Sequence, residues 1–396
     1  MRHVYDALRN AGYKVAGCAP TGKAARRIKE ATGIPATTMH MLLQYTHPGE
    51  KDPKTGKAAG YSYPKCGPQN PLNLDVVLAD EYAMVNQELH RNLVDAMPRG
   101  SRLCVFGDIN QLPPIENTDK AKSEPTPFKL LLDKFQGIRL ETIHRQGEGS
   151  SIVSNGDRIL KGFYPQPGND FAMKVTEKIV STVEQLVLEG HENGINYGAL
   201  ENQILTPINK SWIGTHALNQ RLQQIIEGDW SDREGWDLAR HEWDKNYPFH
   251  AKVGTKVIIT ANMYEVEYEG AEPEAPRGVF NGETGIVLGL APDGFSLRVD
   301  LGDRIAIFPP MVTRLRSNGQ PYNYSLWKDI YPAYAVTTHK AQGSEFKHVI
   351  YVMGNSAFRL CNRANFYTGI TRARVGVTVV TDQRGLQASL SKRTSL

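Results

Sequence analysis

Two acidic stretches in the first third of the sequence follow apolar runs and have residue types that suit phosphate chemistry. VVLADE ends in Asp80 and Glu81, and GDINQLPP contains Asp108 and Gln111. In nucleoside triphosphate hydrolysis one carboxylate holds Mg²⁺, usually through water, and a neighbour orients or deprotonates the attacking water. Asp80 suits the first role and Glu81 the second. The Gln111 amide suits a group that senses the γ-phosphate and reports its loss.

The spacing of these two stretches favours a shared site. An isolated Asp-Glu pair is more often a strand end that happens to be acidic, and Gly107 to Pro114 alone is also typical of a proline-stiffened turn. Here, however, the two stretches are separated by about the length of one crossover helix. Because the carboxyl ends of parallel strands meet at one edge of a sheet, the carboxylates and the amide are predicted to lie together.

Three later stretches add hydrogen-bond donors for phosphate oxygens. LETIHRQ contains Arg145, TTHKAQGSEF begins at Thr337, and NFYTGITRAR contains Arg372 and Arg374. A guanidinium matches phosphate bidentately, although Arg145 alone is more typical of a surface arginine. TTHKAQGSEF suits the phosphates of a nucleotide or of a nucleic acid. One of the two late arginines is predicted to be an arginine finger or, alternatively, part of a basic helix end.

A glycine-rich stretch near the start, GCAPTGKAARR, allows two interpretations. Gly17, Gly22 and Lys23 match the first seven positions of the phosphate-binding loop G-x-x-x-x-G-K-[ST]. Ala24 stands where that loop has Ser or Thr. The stretch is therefore either a degenerate phosphate loop or a different segment that fits the pattern by chance.

Apolar runs predict the elements that position the two acidic stretches. Buried strands are predicted to end at Ala79 and Phe106, with a helix capped by Asn86 between them. Buried strands that alternate with helices indicate a parallel α/β sheet. A second α/β region is predicted from QILT, from the helix after Ser211 and from two late apolar strands.

Two insertions interrupt these regions. The alternating strands KVIIT, GIVLGL, FSLRVDL and RIAIF predict a small all-β module at residues 228–330. Residues 46–73 contain nine Pro and Gly, which predicts a small inserted element such as a hairpin.

Composition excludes several classes of protein. No run approaches the roughly 18 apolar residues that span a membrane, and the N-terminus lacks the apolar centre of a signal peptide. Four scattered cysteines favour a reduced cytosolic setting over a zinc site. Residues 1–50 carry seven Lys and Arg against three acidic residues, and residues 355–396 carry seven against one. Such basic ends are typical of a groove for a polyanion or of a solvated surface.

Taken in order, these stretches resemble a known family. DE, GDxxQLPP, a later arginine, THKAQG and YTGITRAR resemble the motifs of superfamily 1 DNA helicases, and most of all the RecD-like branch that includes the phage helicase Dda. APTGKAARR followed by TTMHMLL, and GVFNGETGIV, are similar to that branch as well. The resemblance covers nearly the whole chain and rests on the ordered set of motifs.

The resemblance implies an interpretation of the glycine-rich stretch. In this family A-P-T-G-[KR]-A-A is motif Ia, which touches single-stranded DNA, so Gly17 is expected to be a strand residue. The family's phosphate loop would precede the helix predicted for Met1 to Gly12, and the chain is expected to begin about one strand and one loop late. Lys23→Ala separates the interpretations: it abolishes ATP binding if the loop binds phosphate and mainly weakens DNA binding if it is motif Ia.

The fold implied by the resemblance is α/β, with two RecA-like parallel-sheet cores that hold ATP in the cleft between them. The first core is expected at residues 1–145, with a strand-separating pin at 46–73. The second core is expected at residues 146–227 and 331–396. The module at residues 228–330 matches the small barrel that the family inserts in its second core.

The resemblance also implies roles residue by residue. Catalytic roles are expected for Asp80, Glu81, Gln111, Arg145 and Arg372, with Asp80 holding Mg²⁺ through water and Arg372 as the arginine finger. Nucleotide binding is expected for Asp108, Gln342, Gly343 and Glu345. Contacts with single-stranded DNA are expected for Pro20, Thr21, Lys23, His40, Thr338, His339 and Lys340.

The expected function is that of an ATP-dependent DNA helicase or translocase moving 5′ to 3′ on single-stranded DNA. ATP and Mg²⁺ are the expected cofactors. Duplex junctions and replication or recombination proteins are expected partners, in the cytoplasm of a bacterial or phage-infected cell. An alternative is a non-hydrolysing, nucleic-acid-binding relative or fragment, because no phosphate loop is recognised in the chain. A third reading is a different NTPase that uses Gly17 to Lys23 as a degenerate loop.

Overall fold

Two compact units make up the protein. The computed structural model describes residues 1–45, 63–114, 124–140, 147, 149–228, 235–238, 249–270, 278–316 and 320–392. One unit is Met1–Arg139 with Val312–Tyr324, and the other is Leu140–Met311 with Ser325–Ser395. Arg145 and residues 46–62, which are most of the predicted pin, lie outside the described residues. Within the described parts of the chain, no helix is long and apolar enough to cross a membrane.

A four-stranded parallel sheet forms the centre of the first unit. Its strands are β1 (Val15–Ala19), β2 (Ala36–Thr38), β3 (Val76–Ala79) and β4 (Arg102–Val105), in the order β2-β1-β3-β4. β3 is fully buried and pairs on both sides, which explains its uninterrupted apolar sequence VVLA. The predicted parallel α/β sheet is confirmed.

Local capping sets the helix ends in this unit. The helices are α1 (Arg2–Asn10), α2 (Gly22–Thr32), α3 (Met39–Leu42), α4 (Gln87–Ala96) and α5 (Pro127–Lys134). Asn86 Oδ1 accepts a hydrogen bond from Leu89 N at 2.9 Å, as its position before the helix predicts. α2 ends at Gly33, whose φ of 68° lies in the left-handed region that favours glycine.

A five-stranded parallel sheet forms the core of the second unit. Its strands, numbered in chain order, are β5 (Phe171–Val175), β6 (Asn202–Thr206), β17 (Ala335–Thr337), β18 (Phe346–Val352) and β19 (Ala373–Thr381), in the order β17-β6-β18-β19-β5. The helices are α6 (Ser151–Lys161), α7 (Ile179–Glu192), α8 (Thr215–Glu227), α9 (Arg363–Ile370) and α10 (Gln383–Ser391). The predicted second α/β region is confirmed.

An antiparallel sheet is inserted between β6 and β17. It contains β9 (Lys256–Ile259), β10 (Glu267–Tyr268), β11 (Thr284–Leu290), β12 (Leu297–Asp300), β13 (Ile305–Phe308) and β16 (Ile330–Pro332), in the order β10-β13-β12-β11-β9-β16. β7 (Gly235–Leu238) pairs with β8 (Phe249–Lys252), and β14 (Val312–Leu315) pairs with β15 (Pro321–Tyr324). Alternate residues of β11, β12 and β13 are buried, as the period-two pattern predicts.

The structure differs from the predicted limits of the β module at two points. β16 extends the module to Pro332, because it pairs with β9 beyond the predicted end at residue 330. The β14–β15 hairpin groups with the first unit and not with the module. Both differences arise from pairing and packing between distant segments, which local sequence patterns do not encode.

Lys256 ties the inserted sheet to the second core. Its side chain is fully buried, and its Nζ donates to the carbonyl oxygens of Ala199 at 2.8 Å and Asn202 at 2.6 Å. A third carbonyl, that of Tyr197, lies at 3.4 Å. A buried ammonium is tolerated only where such acceptors replace its water.

The chain passes directly from the inserted sheet into β17, and Asn219 of α8 holds this passage. Asn219 Nδ2 donates to Pro332 O at 3.0 Å and to Ala335 O at 2.9 Å, and Asn219 Oδ1 accepts from Ala335 N at 2.7 Å. Gln203 Nε2 donates to the carbonyls of Ala333 at 2.9 Å and Tyr334 at 3.0 Å. These bonds fix the register of the strand that leads into the TTHKAQG stretch.

Candidate functional site

The turn after β3 carries the first pair of candidate catalytic residues. Asp80 N donates to Cys18 O at 2.9 Å, and Asp80 Oδ1 accepts from Glu81 N at 2.9 Å. Glu81 has a φ of 51°, a left-handed conformation that costs a non-glycine residue about 1 kcal/mol. Glu81 therefore turns the chain sharply away from the strand, directly after the carboxylate of Asp80.

The turn after β4 lies beside the turn after β3. Tyr82 N donates to Phe106 O at 2.9 Å, and Phe106 N donates to Ala79 O at 2.8 Å. A Cβ on Gly107 would lie 3.2 Å from Ala83 N and 3.2 Å from the Phe128 ring, so glycine permits this close approach. The two acidic stretches therefore lie side by side at one edge of the first sheet, as their spacing predicts.

Asp108 and Gln111 form a short hydrogen-bonded turn at this edge. Asp108 Oδ1 accepts from Asn110 N at 2.9 Å, and Asp108 O accepts from Gln111 N at 3.2 Å. The Gln111 side chain is buried, and among the described residues its Oε1 has no hydrogen-bond partner. A buried amide oxygen of this kind is normally satisfied by water or a ligand.

Asp80 has the electrostatic character of a cation-binding carboxylate. Burial raises the pKa of Asp80, while the hydrogen bond from Glu81 N and the charge of Arg27 act in the opposite direction. A poorly solvated carboxylate gains from a bound cation. In the described chain no group of three or more His, Cys, Asp or Glu side chains is placed to hold a metal. Asp80 and Glu81 supply two adjacent carboxylates, and Mg²⁺ in proteins uses one or two carboxylates together with substrate phosphates and water.

The GCAPTGKAARR stretch is a strand followed by a helix and not a loop around phosphate. Gly17 lies within β1, where it pairs with Ala36 of β2 and Leu78 of β3. A Cβ at this position would lie 3.1 Å from the Ile34 side chain, so the glycine serves packing. The expectation that Gly17 is a strand residue is confirmed, and the degenerate phosphate loop is contradicted.

The four DNA-contact residues predicted in the first unit lie around α2 and α3. Thr21 caps α2 through a hydrogen bond from Ala24 N to Thr21 Oγ1 at 3.2 Å, and Pro20 precedes it. Lys23, on the first turn of α2, is half-buried. His40 is exposed on α3, with its ring 4.7 Å from the ring of Tyr45.

Thr338 is the clearest departure from the predicted DNA contacts. Its side chain is 0% exposed, and both its backbone N (3.0 Å) and its Oγ1 (3.3 Å) donate to Thr206 O. The structure therefore contradicts a direct contact between the Thr338 side chain and DNA. Thr338 stabilises the start of the turn that follows β17, because β6 and β17 are adjacent.

The next residues form a compact turn at the carboxyl edge of the second sheet. Thr337 O accepts from Ala341 N at 3.0 Å, and Thr337 Oγ1 accepts from Lys340 N at 3.2 Å. Burial lowers the pKa of Lys340, and the carboxylate of Asp329 partly offsets this effect. Burial also lowers the pKa of His339. His339 and Lys340 are both half-buried on this turn.

The last residues of this turn are the predicted nucleotide-binding residues of the second unit, Gln342, Gly343 and Glu345. Gln342 and Gly343 are buried, and Glu345 is half-buried. Gly343 has a φ of 73°, which explains the glycine at that position. The turn thus brings Gln342, Gly343 and Glu345 together with His339 and Lys340 in one short segment.

Gly282 and Asp329 also approach Lys340, and the sequence patterns did not assign them to this site. A Cβ on Gly282, whose φ is 92°, would lie 3.6 Å from Lys340 O. The segment that leads into β11 therefore packs against the backbone of this turn. The glycine-rich stretch GVFNGETG was a usable signal, but its contact depends on how the insertion packs on the core.

Arg372 is enclosed and does not project from the second unit. Its side chain is 0% exposed, its Nε donates to Thr368 O at 3.2 Å, and its Nη1 donates to Ser344 O at 3.3 Å. Arg372 O also accepts from Phe346 N at 2.9 Å. In this conformation Arg372 braces the segment around Ser344. A finger role requires the side chain to leave these carbonyls and stays a prediction.

Comparisons with known proteins agree with this architecture. Residues 1–117 match the family model of an AAA domain, and residues 332–380 match that of a UvrD-like helicase C-terminal domain. The ATP-dependent RecD2 DNA helicase of Deinococcus radiodurans is 30% identical over 372 residues, which cover 94% of this chain. In sequence the chain is similar to the RecD-like branch of the superfamily 1 helicases.

The RecD-like chain spans only part of the length of the curated relatives that it matches. The matched segment is 43% of the Deinococcus radiodurans protein. The RecBCD enzyme subunit RecD of Mycolicibacterium smegmatis is 25% identical, over 96% of this chain and 64% of that protein.

Solved structures share the fold of the RecD-like chain. The Pif1 helicase of Candida albicans has a TM-score of 0.56 and 17% identity, over 98% of this chain and 89% of that one. A Bacteroides Pif1 crystallised with single-stranded DNA has a TM-score of 0.52 and 17% identity, over 98% and 87% of the two chains. At this identity the similarity concerns the fold alone.

Proposed function

We propose that this chain is the motor of an ATP-dependent DNA helicase that translocates 5′ to 3′ on single-stranded DNA. The observation that carries the proposal is the pair of adjacent turns after β3 and β4, which places Asp80, Glu81, Asp108 and Gln111 at one sheet edge. The RecD-like sequence supports the same function, and the direction rests on that resemblance alone.

Each residue at this edge would have a separate role in ATP hydrolysis. Asp80 would hold Mg²⁺ through water, and the ion would supply charge that offsets the phosphate oxygens. Glu81, whose backbone N–H donates to Asp80, would orient the attacking water and accept its proton. Gln111 would sense the γ-phosphate through its buried amide. Arg145 remains a proposed phosphate ligand, and Arg372 a proposed finger.

The second unit and the start of the first provide the nucleic-acid contacts. Lys340 and His339 lie on a turn whose backbone is fixed, and Gln342, Gly343 and Glu345 follow within the same turn. Because the proposed DNA contacts and nucleotide contacts share one turn, a change in the bound nucleotide would alter the affinity for DNA. Pro20, Thr21, Lys23 and His40 are the proposed contacts of the first unit. Forked DNA and replication or recombination proteins remain proposed partners.

The test is ATP hydrolysis by the 396-residue chain with and without single-stranded DNA. We expect DNA-stimulated turnover that falls at least about 100-fold in Glu81→Gln, because a positioned general base contributes about that much. Glu30→Gln, an exposed glutamate of α2, is the matched control and should hydrolyse ATP normally.

Two outcomes would change the conclusion. Normal turnover in Glu81→Gln would refute the role of Glu81. Absence of turnover with DNA binding retained would favour the non-hydrolysing alternative. Direction is tested separately, by unwinding of partial duplexes that carry either a 5′ or a 3′ single-stranded tail.

A further inference from the structure

Trp212 is an exposed indole at the carboxyl edge of the second unit's parallel sheet. It lies in the loop between β6 and α8, and 48% of its surface is exposed. Thr206, the last residue of β6, pairs with Thr337 of β17. The loop therefore leaves the sheet beside the chain that continues into His339 and Lys340.

The backbone of this loop is held in place from both ends. Thr206 Oγ1 donates to Ile213 O at 2.9 Å, and Thr215 Oγ1 donates to Asn209 Oδ1 at 3.0 Å. Thr215 N also donates to Ile208 O at 3.0 Å. An aromatic ring on a fixed loop loses little conformational entropy when it binds a partner.

Ser211, directly before the indole, is strained. Its φ is 119°, a region that residues other than glycine rarely adopt. Its buried Oγ has no hydrogen-bond partner among the described residues. Such strain persists only where the surrounding structure imposes it, and it is a reason to ask what the loop presents.

The exposed sequence neighbours of Trp212 in this loop are polar. Asn209 and Lys210 are exposed, Ile213 is buried, and within residues 207–216 Trp212 is the sole large apolar side chain exposed. An isolated indole among polar residues differs from the contiguous apolar patch that docks a protein. It matches the aromatic platforms on which nucleobases stack, next to cations that meet phosphates.

We propose that Trp212 stacks on a base of the single-stranded DNA that this chain binds. Lys210 would then lie beside the adjacent phosphate, and Lys340 lies on the turn that follows the neighbouring strand β17. The inference deepens the proposed function and rests on it. Stacking on a base is tolerant of sequence, so Trp212 would strengthen the grip without selecting a sequence.

The experiment measures binding of the full chain to an oligo-dT strand and to the same strand with abasic sites. Trp212→Ala should bind oligo-dT about tenfold more weakly, the effect of one lost base stack, with an unchanged dependence on salt. The wild-type chain should bind the abasic strand more weakly than oligo-dT. Trp212→Ala should bind the two strands equally well. Trp212→Phe should stay near wild type. Phe295→Ala, which removes another exposed aromatic, should bind normally.

The Ser211→Gly variant provides a second, independent test of the stacking inference. Glycine accepts the observed φ without strain, so this variant should melt at a higher temperature yet bind oligo-dT more weakly, because the indole is held less firmly. Wild-type affinity in Trp212→Ala, or a change in its salt dependence, would overturn the stacking inference and leave the proposed function standing. Failure of the wild-type chain to bind oligo-dT would overturn both.

Discussion

An Asn219→Asp substitution tests whether one side chain fixes the strand that delivers the TTHKAQG turn. Asn219 Nδ2 donates to the buried carbonyl of Ala335 and to the carbonyl of Pro332, which is part-buried. An ionised aspartate has no donor and would face both oxygens with negative charge. A buried carbonyl that loses its partner costs about 1–3 kcal/mol, so the two together cost about 3 kcal/mol.

The stability that Asn219→Asp loses should increase as pH rises. Burial and the facing carbonyls would hold the pKa of the introduced carboxyl above its value of about 3.9 in the unfolded chain. The folded state would then bind more protons than the unfolded state, and stability would fall as pH rises. Asn219→Asp should therefore be closer to wild type at pH 5 than at pH 8.

Calorimetry of the full chain at both pH values is the assay. For a unit of this size 1 kcal/mol shifts Tm by about 2–4 °C, so a fall of about 6–12 °C is expected at pH 8. Gln220→Glu, the same chemical change at the exposed neighbouring residue, is the control. If Asn219→Asp melts within about 2 °C of this control, the reasoning is refuted.

Three further predictions concern the two sheet edges. Gly107→Ala places a Cβ 3.2 Å from Ala83 N and Phe128, so urea unfolding should show a loss of about 1–3 kcal/mol, with lower ATP turnover; unchanged stability would contradict it. Because burial lowers the pKa of Lys340, wild-type affinity for oligo-dT should fall at alkaline pH below 10.5, and Lys340→Arg should remove this dependence. Lys23→Ala should weaken oligo-dT binding and reduce its salt slope by about one, whereas loss of ATP binding would restore the phosphate-loop interpretation.

Local patterns were sufficient for much of the fold. VVLA is apolar without interruption because β3 is buried on both sides, and Asn86 caps α4 because its side chain satisfies Leu89 N. In the inserted sheet, buried residues of β11 alternate with half-buried ones. In each case the information lies within a few neighbouring residues of the sequence.

The exposure of individual site residues could not be predicted in this way. Thr338 is buried because β6 lies beside β17, and Arg372 is buried because Ser344 O and Thr368 O accept from it. The contacts of Thr338 with Thr206 and of Arg372 with Ser344 join residues far apart in the sequence, so they depend on how the strands are arranged. Trp212 escaped notice for the same reason: its position matters only once Thr206 and Thr337 are paired.

The buried lysine of the inserted sheet bears on how this protein can be shortened or recombined. Lys256 supplies the donor for the carbonyls of Ala199 and Asn202, which belong to the second core. Deleting the insertion would leave both oxygens buried without that proton donor and would release the entry into β17. The core and its insertion are therefore one folding unit, and a chimaera that exchanges the insertion must bring its own cation to that position.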